Sequence, residues 1–247
     1  MDTPAASQST NWLIQRVPQT GSTNVDLLGQ AQLGAAHGTV LQADFQTAGR
    51  GRLDRDWQAP SGTNLLVSLL FREVPHHIHV LTQMVALAAS RAVFSATGVQ
   101  SQLKWPNDLL VGGKKLAGIL AQAGGQVSNG LPDYVVVGIG LNVGWAPQDA
   151  TSLRQCMWKR EITPHDLLLE MLTELDGLLA LTSQQQHHKY KQALETIGQR
   201  VRVEMPDGSL VIGEAVDVEA DGRLVVLEDN SVFHLIDTAD VVHLRSA

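Results

Sequence analysis

Residues 63–71 read Thr-Asn-Leu-Leu-Val-Ser-Leu-Leu-Phe, and this near-continuous apolar run constrains the fold more than any other stretch. It does not alternate like a half-exposed strand, so it predicts a strand buried on both faces, with helices packed over the sheet that contains it. Residues 134–142 make the same demand. Their Gly138 and Gly140 remove side chains where something must come close.

Local chemistry sets the neighbouring elements. Residues 11–17 and 39–45 read as strands, and residues 79–97 as a core helix ended by Gly98. Residues 100–104 read as a strand that Pro106 stops, leaving Lys104 at a sharp strand end. Gly112-Gly113 predicts a two-residue hairpin turn into residues 115–121, where Gly118 marks a close approach. Residues 124–130 read as a polar turn. Thr163-Pro164 predicts the capped start of a helix whose Leu168, Met171, Leu172, Leu175 and Leu179 form a core face. The tract 184–188 reads as a break before a short helix reaching Thr196. Beyond Ile197-Gly198, short alternating segments separated by Pro206-Asp207-Gly208, Ala220-Asp221-Gly222 and Asp229-Asn230-Ser231 predict a small barrel. The expected organisation is a disordered lead over residues 1–10, a main domain over 11–196 and a barrel over 197–247.

The net charge of -7 argues against a general nucleic-acid binder. One cysteine, Cys156, excludes an internal disulfide and a multi-cysteine metal site. It fits a reducing compartment. No apolar stretch is expected to reach membrane-spanning length and no signal peptide is evident, so a cytoplasmic protein without membrane attachment is expected. His76, His77 and His79 lack the accompanying carboxylates of a metal site, and no metal ligands are assigned.

Against this acidic background Gln46-Thr47-Ala48-Gly49-Arg50-Gly51-Arg52-Leu53-Asp54-Arg55-Asp56-Trp57 stands out. Two glycines alternate with two arginines, so backbone N–H groups and two guanidiniums can converge on one anion. Arg55 adds a charge clamp and Trp57 a flat face for stacking. The alternative is a solvated basic hairpin tip. Gly21-Ser22-Thr23-Asn24 precedes a predicted helix. Its hydroxyls either cap that helix or face a neutral polar ligand.

Four segments in one order carry a family resemblance: Gly21-Ser22-Thr23-Asn24; the Gly49-Arg50-Gly51-Arg52 loop with Trp57; Lys104-Trp105-Pro106-Asn107-Asp108 followed by Lys115-Leu116-Ala117-Gly118-Ile119-Leu120; and Gly138-Ile139-Gly140-Leu141-Asn142. Together they resemble the motifs of biotin protein ligases, over about residues 11–247. The resemblance implies an α+β fold, a mixed β-sheet with helices packed on it as in class II synthetase-like biotin and lipoate ligases, plus an SH3-like barrel. It implies a two-step reaction in which biotin and MgATP give biotinyl-5'-AMP and pyrophosphate, and a lysine of a carboxylase's biotin carrier domain then attacks the mixed anhydride.

By the same resemblance Lys104, Arg50 and Arg52 are the catalytic cations. Ser22, Thr23, Asn24, Gln46, Gly51 and Gly118 join them around biotin. Arg52, Arg55, Trp57, Asn107, Asn142 and Arg245 serve the adenylate. Positive groups suit a step that brings a carboxylate to an anionic α-phosphate, and Mg2+ would be held mainly by phosphate oxygens and waters. Closure of the basic loop would protect the intermediate from water. Only some ten residues precede the catalytic pattern, too few for the helix-turn-helix domain of some family members, so no DNA binding is expected. An exposed strand beside the site is open to the acceptor or to a second copy in a homodimer. Lipoate attachment and a catalytically silent vitamin sensor are the rival readings. The basic loop and the barrel favour biotin, and the presence of Lys104 and the loop arginines disfavours a sensor.

Overall fold

The computed structural model describes residues 12–156, 162–205, 207–237 and 240–243. The predicted lead over residues 1–10 lies outside them. In chain order the first part comprises β1 (Leu13–Val17), α1 (Thr23–Gln32), β2 (Thr39–Ala43), β3 (Leu65–Phe71), α2 (His79–Thr97), β4 (Gln102–Lys104), β5 (Asp108–Val111), β6 (Lys114–Ser128), β7 (Leu131–Leu141), α3 (Leu153–Cys156), α4 (Pro164–Leu179) and α5 (Ser183–Ala193). Its strands form a seven-stranded sheet in the order β1-β2-β3-β7-β6-β5-β4. The sheet is mixed: β1 runs parallel to β2 and the remaining neighbours are antiparallel. The strands β8 (Arg200–Glu204), β9 (Leu210–Val218), β10 (Leu224–Glu228), β11 (Phe233–Ile236) and β12 (Asp240–His243) form a second, antiparallel sheet in the order β11-β10-β9-β8-β12, as expected for the small carboxy-terminal barrel.

All seven residues of β3 are buried, as its apolar run predicts. Pairing sets Ser68 opposite Gly138 and Leu66 opposite Gly140, while on β6 Leu120 faces Gly138 and Gly118 faces Gly140. Because side chains alternate along a strand, these residues share one face and Val67, Leu69, Val137, Ile139, Ala117 and Ile119 share the other. The second set belongs to the large core beneath α2 and α4. On the first face, Leu70 and Val136 pack with Leu27 and Ala31 of α1. That helix covers one end of the face and leaves the glycine-bearing end for something else.

Several local predictions match. Gly98 closes α2 in the left-handed conformation, Thr163 Oγ1 accepts from Asp166 N to cap α4, and Gly112 and Gly113 both have positive φ in the β5–β6 turn. Three do not. The predicted turn over residues 124–130 is mostly strand: β6 and β7 continue as a two-stranded arm past a bulge, and the chain reverses at Asn129-Gly130, both at positive φ. Asp133 Oδ2 accepts from Gln126 N beside the bulge, and the arm is polar because much of it is exposed.

The tract 184–188 is helical rather than a break. Thr182 and Gln185 form a reciprocal capping box, and Gln186 and Tyr190 supply the buried face. Finally, α2 is long and apolar enough to cross a membrane by length and composition, against the expectation that no stretch would be. Most of it is buried in the core.

Candidate active site

A cavity of about 620 Å3 opens on the glycine-bearing face and is bounded by α1, the basic loop, the β4–β5 connection and part of the second sheet. Its volume suits a small-molecule site. Of the sequence-predicted residues, Ser22, Thr23, Asn24, Gln46, Arg50, Gly51, Arg52, Arg55, Trp57, Lys104, Asn107, Gly118 and Asn142 all line it. Arg245 lies outside the described residues.

The glycines make room for protein side chains before they make room for a ligand. A Cβ at Gly138 would collide with Asn24 Oδ1, and one at Gly140 would collide with the Trp57 indole. At Gly118 a Cβ would crowd Lys115 and Trp57, at 3.1 and 3.2 Å. The Trp57 indole thus packs close against Gly140 of β7 and Gly118 of β6. Its Nε1 is buried without a hydrogen-bond partner among the described residues, and Lys115 Nζ sits 5.7 Å from its ring centroid.

Ser22 occupies the N-cap of α1 in an extended conformation but makes no side-chain capping bond. The capping alternative therefore does not use its hydroxyl. Gln46 Oε1 accepts from Thr23 N at 2.7 Å and from Thr23 Oγ1 at 3.0 Å, tying the start of the basic loop to the helix start. Asn24 donates to Leu120 O and Gln122 Oε1. Ser68 Oγ lies 2.6 Å from Asn24 Oδ1 and 2.7 Å from Thr23 Oγ1. Its one hydrogen can serve only one of them. The result is a buried, directional polar row from β3 to the mouth of the basic loop.

The basic loop is itself a small hairpin. Arg50 and Asp56 form an antiparallel backbone bridge, Trp57 N donates to Gly49 O, and Gly51 N donates to Arg55 O. A 3-10 turn spans Arg52–Asp54, with Leu53 at φ 53°. This turn directs Arg52 toward Asn107, whose Oδ1 accepts from its Nη1 at 3.4 Å. Asn107 Nδ2 donates to Ile119 O, so Asn107 links the loop arginine to β6.

Asn142 is similarly occupied, accepting from Asn64 Nδ2 and donating to Thr151 O. Lys104 ends β4, as Pro106 predicts, and the Trp105–Pro106 peptide is cis. Burial first, and the Lys104 charge second, lower the pKa of His243 from its ordinary value near 6.5.

Sequence reasoning missed Ser68, Gln122, the Lys115–Asp108 ion pair at 2.7 Å, and Glu204, Val241 and Val242 of the second sheet, of which Asp108, Lys115, Glu204, Val241 and Val242 line the cavity. Ser68 had a signal: it is the single polar side chain in the apolar run of β3. The others needed the tertiary fold.

Residues 14–142 match the biotin/lipoate A/B protein ligase family, and residues 196–244 match the biotin protein ligase C terminal domain. The chain is 38% identical over 244 residues to the biotin--[acetyl-CoA-carboxylase] ligase of Mycobacterium tuberculosis, covering 93% of this chain and 88% of that protein. It is 40% identical over 131 residues to the bifunctional ligase/repressor BirA of Bacillus subtilis, covering 49% of this chain and 40% of the other. In three dimensions it resembles the biotin protein ligase from Aquifex aeolicus in complex with biotin and ATP, with a TM-score of 0.78, 26% identity, and coverage of 95% of this chain and 99% of that one.

Proposed function

The chain belongs to the biotin protein ligase family, and from that premise we propose how its cavity works. It is an ATP-dependent ligase that makes biotinyl-5'-AMP and then transfers the biotinyl group to a lysine of a carboxylase's biotin carrier domain. In the first step a biotin carboxylate oxygen bonds to the α-phosphorus of ATP, and the bond from that phosphorus to the pyrophosphate oxygen breaks. In the second, the acceptor amine attacks the acyl carbon, AMP leaves with the electron pair, and the amine sheds a proton to solvent.

The observation that carries this reading is the meeting of a neutral polar row with a cationic rim in one cavity. Ser22, Thr23, Gln46 and the Asn24–Ser68 pair supply neutral donors and acceptors suited to an uncharged ring. Arg50, Arg52 and Lys104 supply positive charge where carboxylate and phosphate would meet. The indole of Trp57, seated on Gly118 and Gly140, supplies an apolar wall. Arg55 and Arg52 serve the phosphates. Asn107 and Asn142 act on the adenylate mainly by positioning, since Arg52, Ile119, Asn64 and Thr151 already engage their amides. By family resemblance Arg245, which lies outside the described residues, is assigned to the adenylate.

Magnesium enters as MgATP. Among the described residues no group of three or more His, Cys, Asp or Glu could hold a metal ion, and Asp108 is paired with Lys115. Phosphate oxygens and water would therefore carry most of its coordination. The free Cys156 and the ATP requirement support a cytoplasmic setting, and the net charge of -7 supports a protein that does not bind nucleic acid. The polar arm of β6 and β7 is the edge offered to the acceptor or a second copy. We place the boundary between catalytic and barrel domains near residue 197.

Biotin-dependent exchange of labelled pyrophosphate into ATP tests the reading. Biotin should support exchange and lipoate should not. No exchange with biotin would refute the activity, and equal exchange with lipoate would assign the lipoate reaction instead.

A further inference from the structure

Lys104 is held by bonds on both sides of it along the chain. Leu103 O accepts from Glu195 N at 2.9 Å, and Trp105 N donates to Thr196 Oγ1, also at 2.9 Å. Thr196 is fully buried, and its hydroxyl lies 3.1 Å from Nε2 of His243, the last residue of β12. The indole of Trp105 donates to Gly222 O in the turn between β9 and β10. The strand end that presents Lys104 is therefore fastened to residues 195–196 and, through Trp105, to the β9–β10 turn and to β12 of the second sheet.

Resting on the adenylate-forming role of Lys104, we infer that Thr196, oriented by His243, is a positioning residue that transmits the seating of the second sheet to the Lys104 side chain. A hydroxyl has one hydrogen and two lone pairs. Thr196 Oγ1 uses a lone pair for the Trp105 N–H, so its hydrogen is available to His243 Nε2, provided that nitrogen carries no proton. The lowered pKa of His243 favours the neutral ring, and in the Nδ1–H tautomer of that ring Nε2 is the acceptor. The chain Trp105 N–H to Thr196 O–H to His243 then runs in one direction with every member satisfied.

Its consequence reaches the cavity twice. The second sheet supplies Glu204, Val241 and Val242 to the cavity wall and, through Thr196, fixes the angle at which β4 delivers Lys104. A bystander threonine that only satisfied a buried amide would affect stability. A positioning threonine must affect turnover, because a displacement of about 1 Å at a reacting group costs up to about a hundredfold in rate.

The test measures biotin-dependent pyrophosphate exchange and thermal melting for the wild type, T196V, T196S, H243L and H243Q. T196V should lower kcat about ten- to a hundredfold with the KM for biotin essentially unchanged, and T196S, which keeps the hydroxyl, should restore most of the rate. H243L should lower kcat by a smaller factor, and H243Q, which keeps an acceptor oxygen, should recover it. A T196V enzyme that turns over normally, or a loss that T196S fails to rescue, would overturn the inference. Should T196V not fold, the H243L and H243Q pair decides by the same criterion. A wild type without exchange would remove the reading of Lys104 and this inference with it, whereas active wild type with unaltered T196V would remove the inference alone.

Discussion

Alternate residues of β3, β6 and β7 build two unlike surfaces on one sheet. On the α2 and α4 side, Val67, Leu69, Val137, Ile139, Ala117 and Ile119 join a continuous core. On the opposite side the same strands present Ser68, Gly138, Gly140 and Gly118, into whose space Asn24 and Trp57 fold. One surface gives up all its space for cohesion; the other keeps space and fills it with groups that can orient a ligand. Because the two sets alternate residue by residue, a slip of one position in register would exchange them. The apolar core thus locks the register on which the cavity depends.

Paired substitutions on the two surfaces break or sharpen this contrast. Leu69→Ala should cost about 2–5 kcal/mol of stability, measured by urea denaturation, while the folded enzyme keeps its KM for biotin; a raised KM would erase the distinction between the faces. Gly140→Val should do the reverse. By displacing the Trp57 indole it should lower biotin-dependent exchange about a hundredfold, and an active Gly140→Val enzyme would show that the indole's seat is unimportant. Ser68→Ala leaves Asn24 Oδ1 without its hydroxyl donor. Its cost of about 1–3 kcal/mol should appear as weaker biotin binding by calorimetry, and unchanged affinity would confine Ser68 to packing.

The smallest effect concerns pH. The folded pKa of His243 lies below its ordinary value, so the unfolded chain binds more protons there and stability rises with pH. The contribution is fully present above about pH 6.5, the unfolded value, and is lost as pH falls toward the folded one. Melting temperatures at pH 7.5 and 5.5 should diverge more for the wild type than for H243Q, and equal divergence would exclude His243 as the cause.

Features governed by near neighbours were legible in the sequence. The run of β3, the Gly98 stop of α2, the Thr163 cap and the Gly112-Gly113 turn each depend on a few adjacent residues, and each is found. The β6–β7 arm was missed because polar residues beyond the core look like a loop, although Asn129-Gly130 carried the turn signal. The start of α5 was missed because the polar tract read as a break hides a capping box spanning Thr182 to Gln185. In the site, motif residues were legible as a set and their division of labour was not. Asn107 and Asn142 face the cavity yet are engaged by the protein, which only the pairing of β5, β6 and β7 reveals. Ser68 and Thr196 matter through partners 44 and 91 residues away, beyond the reach of local pattern.

In the reaction proposed above, the cationic rim of Arg50, Arg52 and Lys104 is what turns a binding cavity into one that can form an acyl-adenylate. Its most direct test is the single-turnover rate of biotinyl-5'-AMP formation in Lys104→Ala at saturating biotin and MgATP. The rate should fall about 10²–10³-fold, and a rate equal to that of the wild type would contradict the account.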